Sequence, residues 1–145
     1  MDTIVYFVAF LFGILIIIVS MFLIFTKAGR NPIASIIPIW GQLEFLEIIN
    51  RPRWWVLLPF LVFIIDIIKL MFPIISNSIV LFLVIFILLL NIYYGIVSMI
   101  DLGKSFCKSK LFIFGLVILP FIFIPILATD DSKYEFIVRK TLNDI

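Results

Sequence analysis

Residues 27–55 read KAGRNPIASIIPIWGQLEFLEIINRPRWW, and the fold turns on how this stretch is read. Lys27 and Arg30 open it, Arg51 and Arg53 close it, and between them lies a mostly apolar run broken by Pro38, Gly41, Gln42, Glu44 and Glu47. About 20 apolar residues are needed to cross roughly 30 Å of hydrocarbon. Residues 33–49 are fewer and hold two carboxylates. The positive-inside bias gives cationic flanks on both sides the same cytoplasmic address. The stretch is therefore expected to be a broken helix at the inner face, either lying on the interface or re-entering it.

Composition sets the class around this element. Hydrophobic residues make up 65% of the 145, and 17 are Phe; mean hydropathy is +1.34. Soluble domains are about 45–50% apolar, so the expectation is an all-α integral membrane protein. The net charge of +2 does not point to nucleic acid as a partner. With no His and a single cysteine, Cys107, neither an intrachain disulfide nor a Cys/His metal cluster can be assembled, and no cofactor or metal is expected.

Four spans are expected, at about 4–25, 54–72, 79–100 and 111–128. The first holds 22 uncharged residues and is too long, with no basic segment ahead of it, for a cleavable signal peptide. Trp54 and Trp55 suit the headgroup level and are expected to anchor the second span. Residues 73–78 form an outer turn without Lys or Arg, whereas residues 101–110 (DLGKSFCKSK) carry three lysines and belong inside. Pro120 and Pro125 are expected to kink the fourth span. This alternation places the N-terminus outside and, with four crossings, the tail outside as well. Ser132 to Glu135 fits a capping box opening a short amphipathic helix at about 133–143.

The blocks KAGRNPIASIIPIW (27–40), RPRWW (51–55), DLGKSFCK (101–108) and LPFIFIPIL (119–127) resemble an uncharacterised family of small bacterial multi-span membrane proteins. Its pattern runs KAGR, IPIYN, GRPWW, DLAKSFGK, LPFIFYPIL. The same arrangement forms the N-terminal membrane region of some proteins labelled signal peptidase I. The chain departs from the pattern at Asn31-Pro32-Ile33, where an aromatic is expected, at Trp40-Gly41 in place of Tyr-Asn, and in a longer stretch between Trp55 and Asp101. The resemblance implies a location in the bacterial cytoplasmic membrane and a link to protein export, with no activity attached.

Peptidase activity itself is not expected. Lys104-Ser105 and Lys108-Ser109 are neighbours on a hydrated inner loop, where lysine keeps its proton and cannot act as a base. Asp66 and Lys69, at i and i+3 in the second span, are a candidate polar pair in the membrane, read first as structural and second as an ion site. Asn91 is read as an interhelical packing group. The inner face supplies a candidate docking surface: Trp40, Glu44, Glu47, Arg51, Asp101, Lys104 and Ser105.

Two function classes follow. The first is a non-enzymatic scaffold or accessory subunit for a membrane protein partner, bound to anionic lipid at its inner face. The alternative is a small oligomeric transporter or channel using Asp66/Lys69 or Glu44/Glu47. Small multidrug exporters carry a carboxylate in the first span and this chain has none there, which favours the scaffold. An immunity or toxin-like protein fits the size alone.

Overall fold

The computed structural model describes residues 2–71 and 77–135, apart from the side chains at 2, 65, 66 and 77. Every regular element among the described residues is helical: α1 (Asp2–Lys27), a 3-10 turn (Pro32–Ile36), α2 (Pro38–Ile48), a second 3-10 turn (Arg53–Val56), α3 (Leu57–Met71), α4 (Asn77–Ser105), α5 (Lys110–Ile118) and α6 (Pro120–Thr129). Two stretches are long and apolar enough to cross a membrane, Thr3–Lys27 and Ser78–Ser105. They correspond to the first and third expected spans. The second expected span is a 3-10 turn followed by α3, whose 15 residues alone reach only about 22 Å. Its last residue and most of the expected outer turn lie outside the described residues.

Pro38 divides the bracketed stretch as its sequence implies. Pro32 and Pro38 each sit in the first turn of a helical segment, where a missing N–H costs nothing. Asn31 caps the first by accepting from the Ile33 N–H at 3.0 Å. Gly41 is required by close approach, because a Cβ there would stand 2.6 Å from the Ala34 carbonyl oxygen.

α1, α2 and α4 end alike. Gly29 (φ 67), Asn50 (φ 51) and Cys107 (φ 52) are left-handed. Each is followed by a residue whose N–H reaches back five positions: Arg30 to Phe25 O (2.9 Å), Arg51 to Leu46 O (2.8 Å) and Lys108 to Gly103 O (2.9 Å). These are Schellman caps, and in each the residue after the left-handed one is a cation. Glycine and asparagine suit that conformation; Cys107 adopts it at a cost of about 1–2 kcal/mol.

The expected fourth span is not one straight helix. It breaks at Leu119-Pro120 into α5 and α6, of 9 and 10 residues, and these fold back on each other. In a straight helix Phe112 and Phe123 would be separated by about 16 Å of rise; their ring centroids are 5.2 Å apart. α5 climbs beside α4, with Ile113 and Leu116 against Gly103. α6 descends beside α1, bringing Leu127 O to 2.7 Å from Lys27 Nζ. Lys108, just before the hairpin, pairs with Asp130, just after it. Both ends therefore lie at one face, and residues 130–135 share it with Lys27 rather than emerging opposite.

The expected capping box does not form. Ser132 turns its hydroxyl and its N–H (3.0 Å) back to Asp130 Oδ1, and residues 133–135 are not helical; residues 136–143 lie outside the described residues. The core collects at the same end: Ile24, Phe25, Leu46, Ile48, Leu102, Phe106, Leu116 and Leu127 are buried, while the opposite half of α1 is exposed on every side.

The hairpin depends on Gly115, since a Cβ there would meet the Phe123 ring at 2.3 Å. Gly115→Ala should destabilise by about 1–3 kcal/mol. Gly13→Ala, where a Cβ meets nothing within 4 Å, should be neutral or stabilising by up to about 1 kcal/mol. Thermal unfolding in detergent measures both, and equal shifts would refute the bend.

Candidate functional site

Charged side chains at the shared face are joined into three nodes. In the first, Asp130 binds Lys27 (3.0 Å) and Lys108. Lys27 also donates to the carbonyls of Leu127 and Asp130, at 2.7 and 2.5 Å, so it caps α6 directly. Burial pushes the Asp130 carboxyl up, but the hydrogen bonds from Lys108, Ser132 and Lys27 outweigh this and hold it well below the usual carboxylate range. In the second node, Glu47 accepts from Arg53 (2.6 Å) and from Arg30. The Arg53 bond is the main cause lowering its pKa, against a smaller penalty from burial.

The third node is the most enclosed. Arg51 Nε donates to Asp101 Oδ2 at 2.5 Å, with the two side chains 17% and 8% exposed. The guanidinium also lies 4.4 Å from the centroid of the Trp55 ring. Beside it the Ile48 carbonyl, near the end of α2, lies 3.1 Å from both Ser105 Oγ and Tyr134 Oη. The Glu135 N–H donates to Ser105 O at 2.7 Å.

This geometry redistributes the expected docking surface. Ser105 is fully buried and Asp101 nearly so, and their polar groups are spent inside the fold, so neither can meet a partner. Glu47 and Arg51 are taken up by ion pairs. Glu44 Oε1 accepts from Trp40 Nε1 at 3.2 Å, and its enclosed Oε2 stands 3.6 Å from Arg30. Of the expected residues, Trp40 and Lys104 remain on the surface, with Lys104 only 4.0 Å from Asp101. Trp54 is exposed as an anchor should be, whereas Trp55 is buried against Arg51 and Tyr94. Lys69 is exposed in the last turn of α3, and the Asp66 side chain lies outside the described residues. Asn91 turns its amide to its own helix, donating to Ile87 O at 3.0 Å.

Sequence reasoning missed Asp130, whose signal was its place as the first acid after the last apolar run. It also missed a groove of about 320 Å³ between α1 and α4, floored by α2. Ile17, Met21, Phe25, Phe45 and Met99 form much of its wall. Gln42 Oε1 accepts from Tyr94 Oη there at 2.8 Å, and Ser98 Oγ is buried without a hydrogen-bond partner.

These features define a class: among the described residues, regular structure that is helical throughout, with two helices fit to cross a membrane and a charged cap at one end. The chain belongs to DUF5684, a family of unknown function, which matches residues 33–135, from the first 3-10 turn to the end of the described tail. No curated protein and no solved structure matches it.

Two measurements probe the cap. Asp101→Ala or Arg51→Ala strands a buried charge and should cost about 3–5 kcal/mol, whereas Arg51→Met with Asp101→Leu should cost far less. A loss in the double variant equal to the sum of the two single losses would show that the pair is not coupled. The stabilisation from Asp130, whose folded pKa is depressed, is complete above the unfolded carboxylate value of about 4 and lost as pH falls through the folded one. The stability gap between wild type and Asp130→Asn should thus be constant from pH 7 to about 5 and close in stronger acid. A gap that widens in acid would contradict this.

Proposed function

We propose that the protein is an integral membrane protein of three crossings, with α5 and α6 as a re-entrant hairpin, serving as a non-enzymatic scaffold or accessory subunit for a membrane partner. The single observation that carries this reading is the cap, in which ion pairs tie α1, α2, α4 and α6 into one platform. The groups engaged there are fixed rather than free to bind and release a solute. Glu44 and Glu47, which a transporter would use, are held by Arg30 and Arg53. Trp40, Arg53, Trp54 and Lys104 stand on the outside of the platform as an aromatic and cationic surface.

Three crossings also suit the charges. All described Lys and Arg except Lys69 lie near the cap, and the tail joins them there instead of carrying Lys133 across. The bias toward cytoplasmic cations then puts the cap inside and the N-terminus outside. Anionic lipid would add about 1 kcal/mol for each cation close to the surface. The bacterial cytoplasmic membrane follows from the resemblance of the motifs.

Cys107 is exposed in the turn after α4. An impermeant maleimide should label it only in permeabilised cells, and the same should hold for Asp131→Cys in a Cys107→Ser background. Labelling of Cys107 in intact cells overturns the orientation; labelling of Asp131→Cys alone overturns the re-entrant hairpin. A hydrogen bond to Glu135 raises the thiol pKa, so labelling of Cys107 should quicken with rising pH and in Glu135→Gln. The scaffold itself is tested by Trp40→Ala with Lys104→Ala, which should keep the melting temperature and lose a crosslinked membrane partner. Solute flux driven by the purified protein in liposomes would favour the transporter instead.

A further inference from the structure

We infer that the groove between α1 and α4 holds one acyl chain of an inner-leaflet glycerophospholipid, with an ester carbonyl hydrogen-bonded by Ser98 and Gln42. The inference rests on the membrane reading above.

Three observations lead to it. No charged side chain lines the groove, so its occupant is apolar with at most a neutral polar group. The polar groups it offers can donate: Ser98 Oγ, buried beside the Tyr94 hydroxyl, has no partner at full hydrogen-bond geometry, and Gln42 spends its carbonyl oxygen on Tyr94, which leaves the amide N–H groups for a ligand. Two donors call for an acceptor such as an ester carbonyl.

Depth is the third. Asp101 is the first acid of α4, and Ser98 lies about 4.5 Å further along the axis, where a lipid ester meets hydrocarbon. From there the walls run to Ile17, about 15 Å along α1 from Lys27, or half the hydrocarbon thickness. The groove's volume is about 320 Å³. Small-molecule sites start near 300 Å³.

Gly95 supplies the test. It borders the groove, and a Cβ there meets nothing within 4 Å, so Gly95→Leu fills the space and also favours the helix. The full chain is reconstituted in vesicles of phosphatidylglycerol carrying a diazirine on one chain. Peptides holding Met21, Phe45 and Met99 should be labelled, together with the exposed outer half of α1. Gly95→Leu should abolish the groove labelling and leave the outer-half labelling unchanged. Ser98→Ala, or an ether-linked lipid lacking the carbonyl, should weaken it about fivefold, the equivalent of one net hydrogen bond. Groove labelling that survives Gly95→Leu, or is indifferent to both Ser98 and the ester, overturns the inference, as does a polypeptide crosslinked at those residues. Release of the protein by alkaline extraction would defeat the membrane reading itself. Retention without groove labelling defeats only the lipid site.

Discussion

Four helices, α1, α2, α4 and α6, bring their C-termini to one face, and the rest of the structure depends on satisfying those ends. Each leaves up to four carbonyls without intrahelical donors and about half a negative charge. At an apolar core that combination would be costly, and the chain answers it with cations. Lys27 donates to the last carbonyls of α6, while Arg30, Arg51 and Lys108 follow the left-handed residues that close α1, α2 and α4. The carboxylates Glu47, Asp101 and Asp130 then tie those cations across elements. The same Lys and Arg side chains that bracket the apolar stretches thus hold the helix ends together.

One consequence is the separation of α1 from α4. Each is fastened to the cap at its end, and α2 with the preceding 3-10 turn wedges between them, with Ala34 packed against Gly41 and Gln42 reaching Tyr94. The α5–α6 hairpin fills the other side, α5 on α4 and α6 on α1. Packing is dense near the cap and sparse at the far end, where Val80 of α4 is buried but the side chains of α1 face outward in all directions. The groove is what remains where α2 holds two long helices apart without filling the space above itself.

Hydropathy made α1, α4 and the broken element at 33–49 legible, because length and charge decide those cases alone. The same reasoning misplaced Ser105 and Trp55. Ser105 belongs to a run with three lysines, which reads as a hydrated loop; in fact α4 continues as far as Ser105, whose side chain is buried while Lys104 is exposed. Trp54 and Trp55 read as one headgroup pair, but the 3-10 turn sends them different ways, one exposed and one against Arg51. The pairing of Asp130 with Lys27 and Lys108 spans 103 and 22 residues. Nothing local announces such contacts.

The hairpin shows what span counting leaves out. Residues 110–129, taken as one helix, would reach about 30 Å and could cross the bilayer. Two local features argue against that. Pro120 lacks the N–H a continuous helix needs, and Gly115 leaves room for the Phe123 ring to fold onto α5. Charge decides the remainder. A crossing helix would carry Asp130 to the far side, leaving Lys27 and Lys108 without their shared carboxylate and the end of α6 without its cationic cap. Folding back keeps every one of those contacts and the tail's Tyr134 on Ile48. An apolar stretch of this length can run on or fold back, and the proline, the glycine and the acid after it are what hold it folded back here.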